Sequence, residues 1–145
     1  MLVPARSTGV AVKRVGVNSQ EQRPGGKTVL VVDDNPGIRR AVARAFLSGG
    51  FAVCGEATNG REALDLAKQL KPDLIILDLL MPIMSGLQAA PELRKIVPKA
   101  SIILFTMYGA EVRKEEAASM GIDLIASKME PLSEIVNKAH QLIGD

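Results

Sequence analysis

Aromatic residues are scarce: the 145 residues hold no Trp, one Tyr and three Phe. With an apolar content of 47%, the core must be aliphatic and Ala-rich. Cysteine is nearly absent. The single Cys54 excludes an internal disulfide framework and a Cys-based zinc site. It lies in Phe51-Ala52-Val53-Cys54-Gly55, where a buried, inert thiol is expected. No apolar run approaches the roughly 18 residues of a membrane helix, and the N-terminus lacks the compact apolar segment of a secretory signal. A cytoplasmic protein with no membrane partner is the default. The length suits one domain.

The net charge of +2 is unevenly spread. Residues 1–27 carry Arg6, Lys13, Arg14, Arg23 and Lys27 against Glu21, a balance of +4 that leaves the remainder at −2. The basic character belongs to this stretch, which mixes Pro, Gly, Ser and Gln without sustained period and is expected to be a flexible leader. The body, 28–145, has no basic face of the size nucleic-acid binding needs.

Within the body, short apolar runs alternate with helical periods. Thr28–Val32 reads as a strand ending on Asp33-Asp34. Asn35-Pro36 then fits an N-cap followed by Pro at the first helical position, with Ile38, Val42, Ala45 and Phe46 facing in and Gly49-Gly50 closing the helix. Phe51–Ala57 is a second strand. After Asn59-Gly60, Arg61–Leu70 forms a helix with Ala63, Leu64, Ala67 and Leu70 inward, stopped by Pro72. Leu74–Leu77 is a strand buried on both faces, ending on Asp78. A third helix, about Leu87–Val97, contains Pro91, which removes a hydrogen bond and predicts a kink or a restart there. Ser101–Phe105 is the fourth strand, ending on Thr106. Gly109–Met120 follows as a helix with Glu111, Glu115 and Glu116 exposed. Ile122–Ala126 is the fifth strand, ahead of Ser127-Lys128, and Pro131 opens a last helix with Leu132, Ile135, Val136, Ala139 and Leu142 as its apolar stripe. Five βα units imply α/β architecture: one five-stranded parallel sheet with helices on both faces.

The residues at the strand ends carry the chemistry. In a parallel sheet these ends point one way, and ligands bind beyond them. Asp33, Asp34, Asp78, Thr106 and Lys128 would thus share one crevice. Three carboxylates repel one another, and a hard divalent cation relieves that; Mg²⁺ takes oxygen ligands and keeps several waters. Asp34 and Asp78 are the expected direct ligands, with Asp33 through water and the Leu80 backbone carbonyl as a third. Asp78 can act as a nucleophile toward phosphorus, forming an acyl phosphate. Mg²⁺ and Lys128 would neutralise charge, and the Thr106 hydroxyl would donate to a phosphoryl oxygen.

Taken together, Val31-Val32-Asp33-Asp34, Leu77-Asp78-Leu79-Leu80-Met81-Pro82 with Ser85-Gly86, Phe105-Thr106 and Lys128 resemble the response-regulator receiver domain of two-component signalling. The resemblance spans about Thr28 to Asp145. It implies a flavodoxin-like (βα)5 fold and Mg²⁺-dependent phosphorylation of Asp78 by a histidine kinase or histidine phosphotransfer protein. It also implies an output face for a downstream protein target, built from the fourth helix, fifth strand and fifth helix.

The chain departs from the family at three places. Met129 follows Lys128 where the family usually has a cis Pro; a cis bond to a non-proline residue costs ~2.5–4 kcal/mol, so a trans bond and a shifted loop are expected. Ile125 stands where many members carry a switching aromatic. Leu80 and Tyr108 occupy the positions that flank water's approach to the phosphoryl group in this family, which predicts slow hydrolysis. Tyr108 is otherwise an exposed loop aromatic. His140 is expected to be an ordinary surface residue, and Met81, Met84, Met107, Met120 and Met129 gap-fillers.

A phospho-switch, rather than a turnover enzyme, is the leading function. It would be a stand-alone receiver, a phosphorelay intermediate, or a receiver from a longer transcriptional regulator, either monomeric or dimerising on phosphorylation. No helix-turn-helix segment is visible, which argues against direct DNA binding. An Mg²⁺-dependent aspartyl-phosphate phosphatase is the main alternative, but its commonest family needs a second acid where Leu80 stands. A flavin carrier would need a Ser-, Thr- and Gly-rich phosphate loop where Asp33-Asp34 stand.

Overall fold

A computed structural model describes residues 26–144; the expected leader lies almost wholly outside them. Strand β1 (Thr28–Val32) leads into α1 (Pro36–Ser48), β2 (Ala52–Ala57), α2 (Gly60–Leu70), β3 (Leu74–Leu77), α3 (Gly86–Ile96), β4 (Ser101–Thr106), α4 (Lys114–Ser119), β5 (Leu124–Ser127) and α5 (Leu132–Ile143). The five strands form one sheet in the order β2-β1-β3-β4-β5, with every pair parallel. The order reverses between β1 and β3, which places the ligand crevice there.

Two apolar layers follow from the two-residue alternation of the strands. Leu30, Val32, Ile75, Leu77, Ile102 and Leu104 face Ala63, Ala67, Ala89 and Leu93 of α2 and α3. Val29, Val31, Leu74, Ile76, Ile103 and Phe105 face Val42, Phe46, Ile135, Val136 and Ala139 of α1 and α5. The first layer is aliphatic, the second adds the three phenylalanines, and alanines let the helices sit close to the sheet.

The helix starts follow local chemistry. Asn35 caps α1 by accepting the Ile38 N–H, with Pro36 at the first position, and Asn59 caps α2 by accepting the Glu62 N–H. Ser85 and Gln88 form a reciprocal capping box at α3.

Several expectations need correction. Of the two expectations at Pro91, the restart is overturned, since α3 runs on through the proline as one helix; the proline costs the one hydrogen bond to the Leu87 carbonyl. The segment expected as one helix over Gly109–Met120 splits into a 3-10 turn, Gly109–Glu111, and the short α4. Val112 between them is extended (φ −107°, ψ 121°) because it turns into the core, at 9% exposure. The last strand starts at Leu124 rather than Ile122: Gly121 at φ +90° ends α4, and the Ile122 N–H bonds back to Ala117. Leu70 and Leu142 are more exposed than an inward stripe would have them. Met81, Met84 and Met120 pack against the core as gap-fillers, whereas Met107 and Met129 lie open to solvent. His140 is half-buried rather than superficial; its Nε2 lies 2.8 Å from the Gly49 carbonyl, and its ring packs on Phe51 at 4.7 Å.

Cys54 is half-buried rather than fully enclosed, and its thiol is inert as expected. Its Sγ–H donates to the Val29 carbonyl at 3.4 Å, and burial pushes the thiol up to about 12, which leaves it without thiolate at neutral pH.

One side chain ties two connections together, α3 to β4 and α4 to β5. The Arg94 guanidinium donates to the carbonyls of Pro98, Ala100 and Gly121 and to the Asp123 carboxylate, over 2.6 to 2.9 Å. Arg94→Met retains most of the stem and leaves these acceptors without their donor. Stability should fall by about 1–3 kcal/mol, read as a lower urea midpoint with unchanged slope.

Candidate functional site

The register of the sheet brings the acidic residues together. Val32 of β1 pairs with Leu77 of β3, so Asp33 and Asp78 leave adjacent strands side by side. Leu77 pairs with Leu104 of β4, which puts Thr106 at the next strand end, and Thr106 pairs with Ser127 of β5, so Lys128 follows one strand further. Asp33, Asp78 and Thr106 are the buried polar side chains among the described residues, at 3%, 7% and 1% exposure. Burial of polar groups is costly unless they are paired. That all three lie at one end of one sheet marks this end as the site.

Lys128 compensates the buried acids. Its Nζ lies 2.7 Å from Asp33 Oδ2 and 3.1 Å from Asp78 Oδ1, and its side chain is 9% exposed. The ammonium also sits 5.9 Å from the centre of the Phe105 ring, within cation–π reach. Asp33 Oδ1 accepts the Asn35 N–H at 2.9 Å, so both oxygens of Asp33 are engaged. Asp78 Oδ1 accepts the Leu79 N–H at 2.8 Å as well as contacting Lys128. Asp34 is exposed, yet one oxygen from each of Asp33, Asp34 and Asp78 falls within 4.8 Å of the others.

Such crowding shifts proton affinity. Burial and the neighbouring Asp33 charge raise the Asp78 carboxyl above the ordinary range, and Lys128 offsets this only in part. Burial alone would lower the Lys128 ammonium, but the hydrogen bond to Asp33 and the charge of Asp78 outweigh it and hold it above the ordinary value.

The backbone around Asp78 is held from behind by Gly86. Its N–H donates to the Leu79 carbonyl at 2.9 Å, and a Cβ on it would overlap the Asp78 carbonyl. Only glycine permits α3 to start this close to the acid. The intervening loop is strained: Met84 N–H bonds the Pro82 carbonyl at 2.7 Å across Ile83, whose φ is +71°. A β-branched residue in that region is an outlier. Ile83 is also 81% exposed.

The remaining expected residues lie on the loops after β3 and β4 and in β5. Leu80 and Tyr108 are exposed at 56% and 46% on the loops after β3 and β4. The Tyr108 N–H donates to Thr106 Oγ1 at 3.1 Å, leaving the hydroxyl hydrogen for another acceptor. Ile125 is half-buried in β5 against Gly109, where an added Cβ would come 3.2 Å from its Cγ2. The Lys128–Met129 bond is trans, as expected, and no cis bond occurs among the described residues. Arg39, which motif reasoning did not single out, donates from Nη1 to the Asp33 carbonyl at 2.9 Å and from Nε to Glu56 at 3.0 Å. Its position one turn into α1, after a double acid, is the signal that was available.

The response regulator receiver domain model matches residues 29–140. The chain belongs to this family. Among relatives, the chemotaxis protein CheY of Thermotoga maritima is 40% identical over 116 residues, covering 78% of this chain and 97% of that protein. The nitrate/nitrite response regulator NarL of Escherichia coli is 35% identical over 116 residues, 79% of this chain but only 53% of NarL. The signal receiver domain of NarL from Mycobacterium tuberculosis superposes with a TM-score of 0.74 at 33% identity, over 83% of this chain and 98% of that one. CheY in a CheX–CheY–BeF3–Mg complex from Borrelia burgdorferi shares the fold, with a TM-score of 0.75 at 23% identity, over 80% and 88% of the two chains. Receiver domains are signalling modules of two-component systems, not catalysts in their own right.

The proton affinity of Asp78 makes a testable demand. The folded receiver domain holds the Asp78 proton more tightly than the unfolded chain does. Stability therefore falls as pH rises from the unfolded value of about 3.9 through the higher folded value, and stays lowered above it. Asp78→Asn should raise the urea midpoint at pH 7, and the gain should vanish below about pH 3, where the acid is protonated in both states. An unchanged or lower midpoint at pH 7 contradicts the electrostatic assignment. Lys128 follows the same sign in a higher window: its contribution is full below about 10.4 and is lost as pH rises through its raised folded value.

Proposed function

We propose that this receiver domain is a phospho-switch in which Asp78 accepts a phosphoryl group from a phosphohistidine of a histidine kinase or histidine phosphotransfer protein. The observation that carries this is the bridging of two buried carboxylates by the buried Lys128 ammonium at the topological switch point. Asp78 Oδ1 is held by Leu79 N–H and Lys128, which leaves Oδ2 to attack phosphorus. The new bond is O–P; the P–N bond of the donor breaks, and the imidazole nitrogen keeps the pair and takes a proton from solvent. Lys128 then pairs with a phosphoryl oxygen, and the Thr106 hydroxyl donates its hydrogen to another.

The site fits Mg²⁺: an all-oxygen donor set, clustered within 4.8 Å, with Asp34 open to solvent. Asp34 and Asp78 would hold it directly, with the Leu80 carbonyl, and Asp33, whose oxygens are both engaged, would act through water. When bound, Mg²⁺ neutralises the phosphoryl oxygens and the crowded carboxylates.

Five exposed large apolar side chains, Leu80, Ile83, Met107, Tyr108 and Met129, lie on the three loops that follow β3, β4 and β5, where a phosphodonor would dock. The face made by α4, β5 and α5 would meet a downstream protein target, through a change that starts at Thr106 and passes along the Tyr108 backbone and Ile125. The domain would act in the cytoplasm as a monomer or a phosphorylation-linked dimer. The phosphatase alternative fails on Leu80, which supplies no second acid beside Asp78.

Incubation with acetyl phosphate and Mg²⁺ should give one phosphoryl adduct by intact mass, absent in Asp78→Asn and without Mg²⁺. A wild type that takes up no phosphoryl group overturns the proposal.

Leu80 and Tyr108 should slow loss of the phosphoryl group by crowding the incoming water. Leu80→Asn and Tyr108→Ala should each shorten its lifetime by about threefold to tenfold, up to about 1.4 kcal/mol of barrier. Decay curves matching wild type in both variants would remove the lid role.

A further inference from the structure

Lys128 must deliver a flexible side chain to two carboxylates, although the residue after it, Met129, leaves the backbone free where a proline would fix φ. Something else has to hold the turn on which Lys128 rides, and the hydrogen bonds point to Ser127. Its backbone sits beside Thr106 in the β4–β5 register. The next amide, Lys128 N–H, donates to the Thr106 carbonyl at 3.1 Å and is the last tie to the sheet. Beyond it, the Met129 N–H donates to Ser127 Oγ at 3.0 Å, and the Glu130 N–H donates to the Ser127 carbonyl at 3.3 Å. Ser127 therefore accepts both amides that follow Lys128, and Lys128 occupies the corner of the turn they close.

The geometry points to Ser127 as a positioning residue: its hydroxyl closes the turn that aims the Lys128 ammonium at Asp33 and Asp78, in place of a rigid residue after the lysine. A side-chain oxygen accepting from the second amide onward is a local alternative to a backbone turn. The hydroxyl does little for stability, because Met129 is 74% exposed and water can satisfy its amide. Its effect lies on the aim of Lys128. A lysine left to search its rotamers gives up entropy when it is fixed again, so a loosened turn appears as a slower reaction and a more accessible amine.

This inference deepens the phosphoacceptor role of Asp78 and rests on it for one of its two readouts. The first is the rate of phosphorylation by acetyl phosphate with Mg²⁺. Ser127→Ala should be slower by roughly fivefold to tenfold, short of the hundredfold that an ångström of misplacement can bring, with an unchanged thermal midpoint. Ser127→Thr, which keeps the hydroxyl, should stay within about twofold of wild type. In a Lys128→Ala background, Ser127→Ala should add nothing further.

The second readout needs no phosphorylation. Acylation of Lys128 by an amine-reactive ester, followed by peptide mass spectrometry, should be slow in wild type and in Ser127→Thr and faster in Ser127→Ala. Faster labelling in Ser127→Ala supports the positioning role even if wild type takes up no phosphoryl group, a result that would overturn the phosphoacceptor assignment alone. Labelling of Lys128 at the wild-type rate in Ser127→Ala, or an equal slowing of phosphorylation by Ser127→Ala with and without Lys128, overturns it.

Discussion

The ammonium of Lys128, 2.7 Å from Asp33 and 3.1 Å from Asp78, is the contact on which the rest of the site depends. Two carboxylates buried side by side at the ends of adjacent strands repel each other and lose hydration. Without a cation they would protonate or spread apart. Lys128 keeps them together while holding only Oδ1 of Asp78. Its compensation is partial, since the Asp78 carboxyl stays raised. The folded domain thus stores electrostatic strain at one end, of the kind a divalent cation relieves. Strain concentrated at a functional site is a recurring compromise between stability and activity.

The scaffold supports that compromise through close backbone approaches. The helix α3 begins against the Asp78 carbonyl, where Gly86 admits no side chain, and Arg39 holds the Asp33 carbonyl from α1. On the far side, the strained turn at Ile83 and the split between the 3-10 turn and α4 break the regular helix-on-sheet pattern. Both irregular segments follow strands that end in site residues. The apolar layers beneath are regular, and Arg94 closes their far edge with four hydrogen bonds. Packing is regular below the site and irregular in the loops above it.

Much of this was legible in the residues. The alternation of Val29, Leu30, Val31 and Val32 between two layers and the caps at Asn35 and Asn59 are local chemistry, and local rules place them correctly. So did the clustering of Asp33, Asp34, Asp78 and Lys128, because parallel strands of similar length end together. Misjudged elements share a cause. Val112 leaves the helical path to enter the core, Ile122 is buried in a turn rather than a strand, and α3 tolerates Pro91 because packing outweighs one lost hydrogen bond. His140 looked superficial because its partners, Phe51 and Gly49, lie some 90 residues away in sequence. Each is a long-range competition that a local window does not contain.

The sequence by itself determined the five βα units, the acids and the lysine that end the strands, and the departures at Met129, Ile125, Leu80 and Tyr108. Tertiary structure alone decided which oxygen of Asp78 is held and which is left, that Asp33 is engaged at both oxygens, and that Arg39, Gly86 and Ser127 stand behind the acids and the lysine. The reason is geometric. Strand order and polarity follow from pattern, but a hydrogen bond depends on tenths of an ångström, set only when the sheet register and the helix packing are both in place.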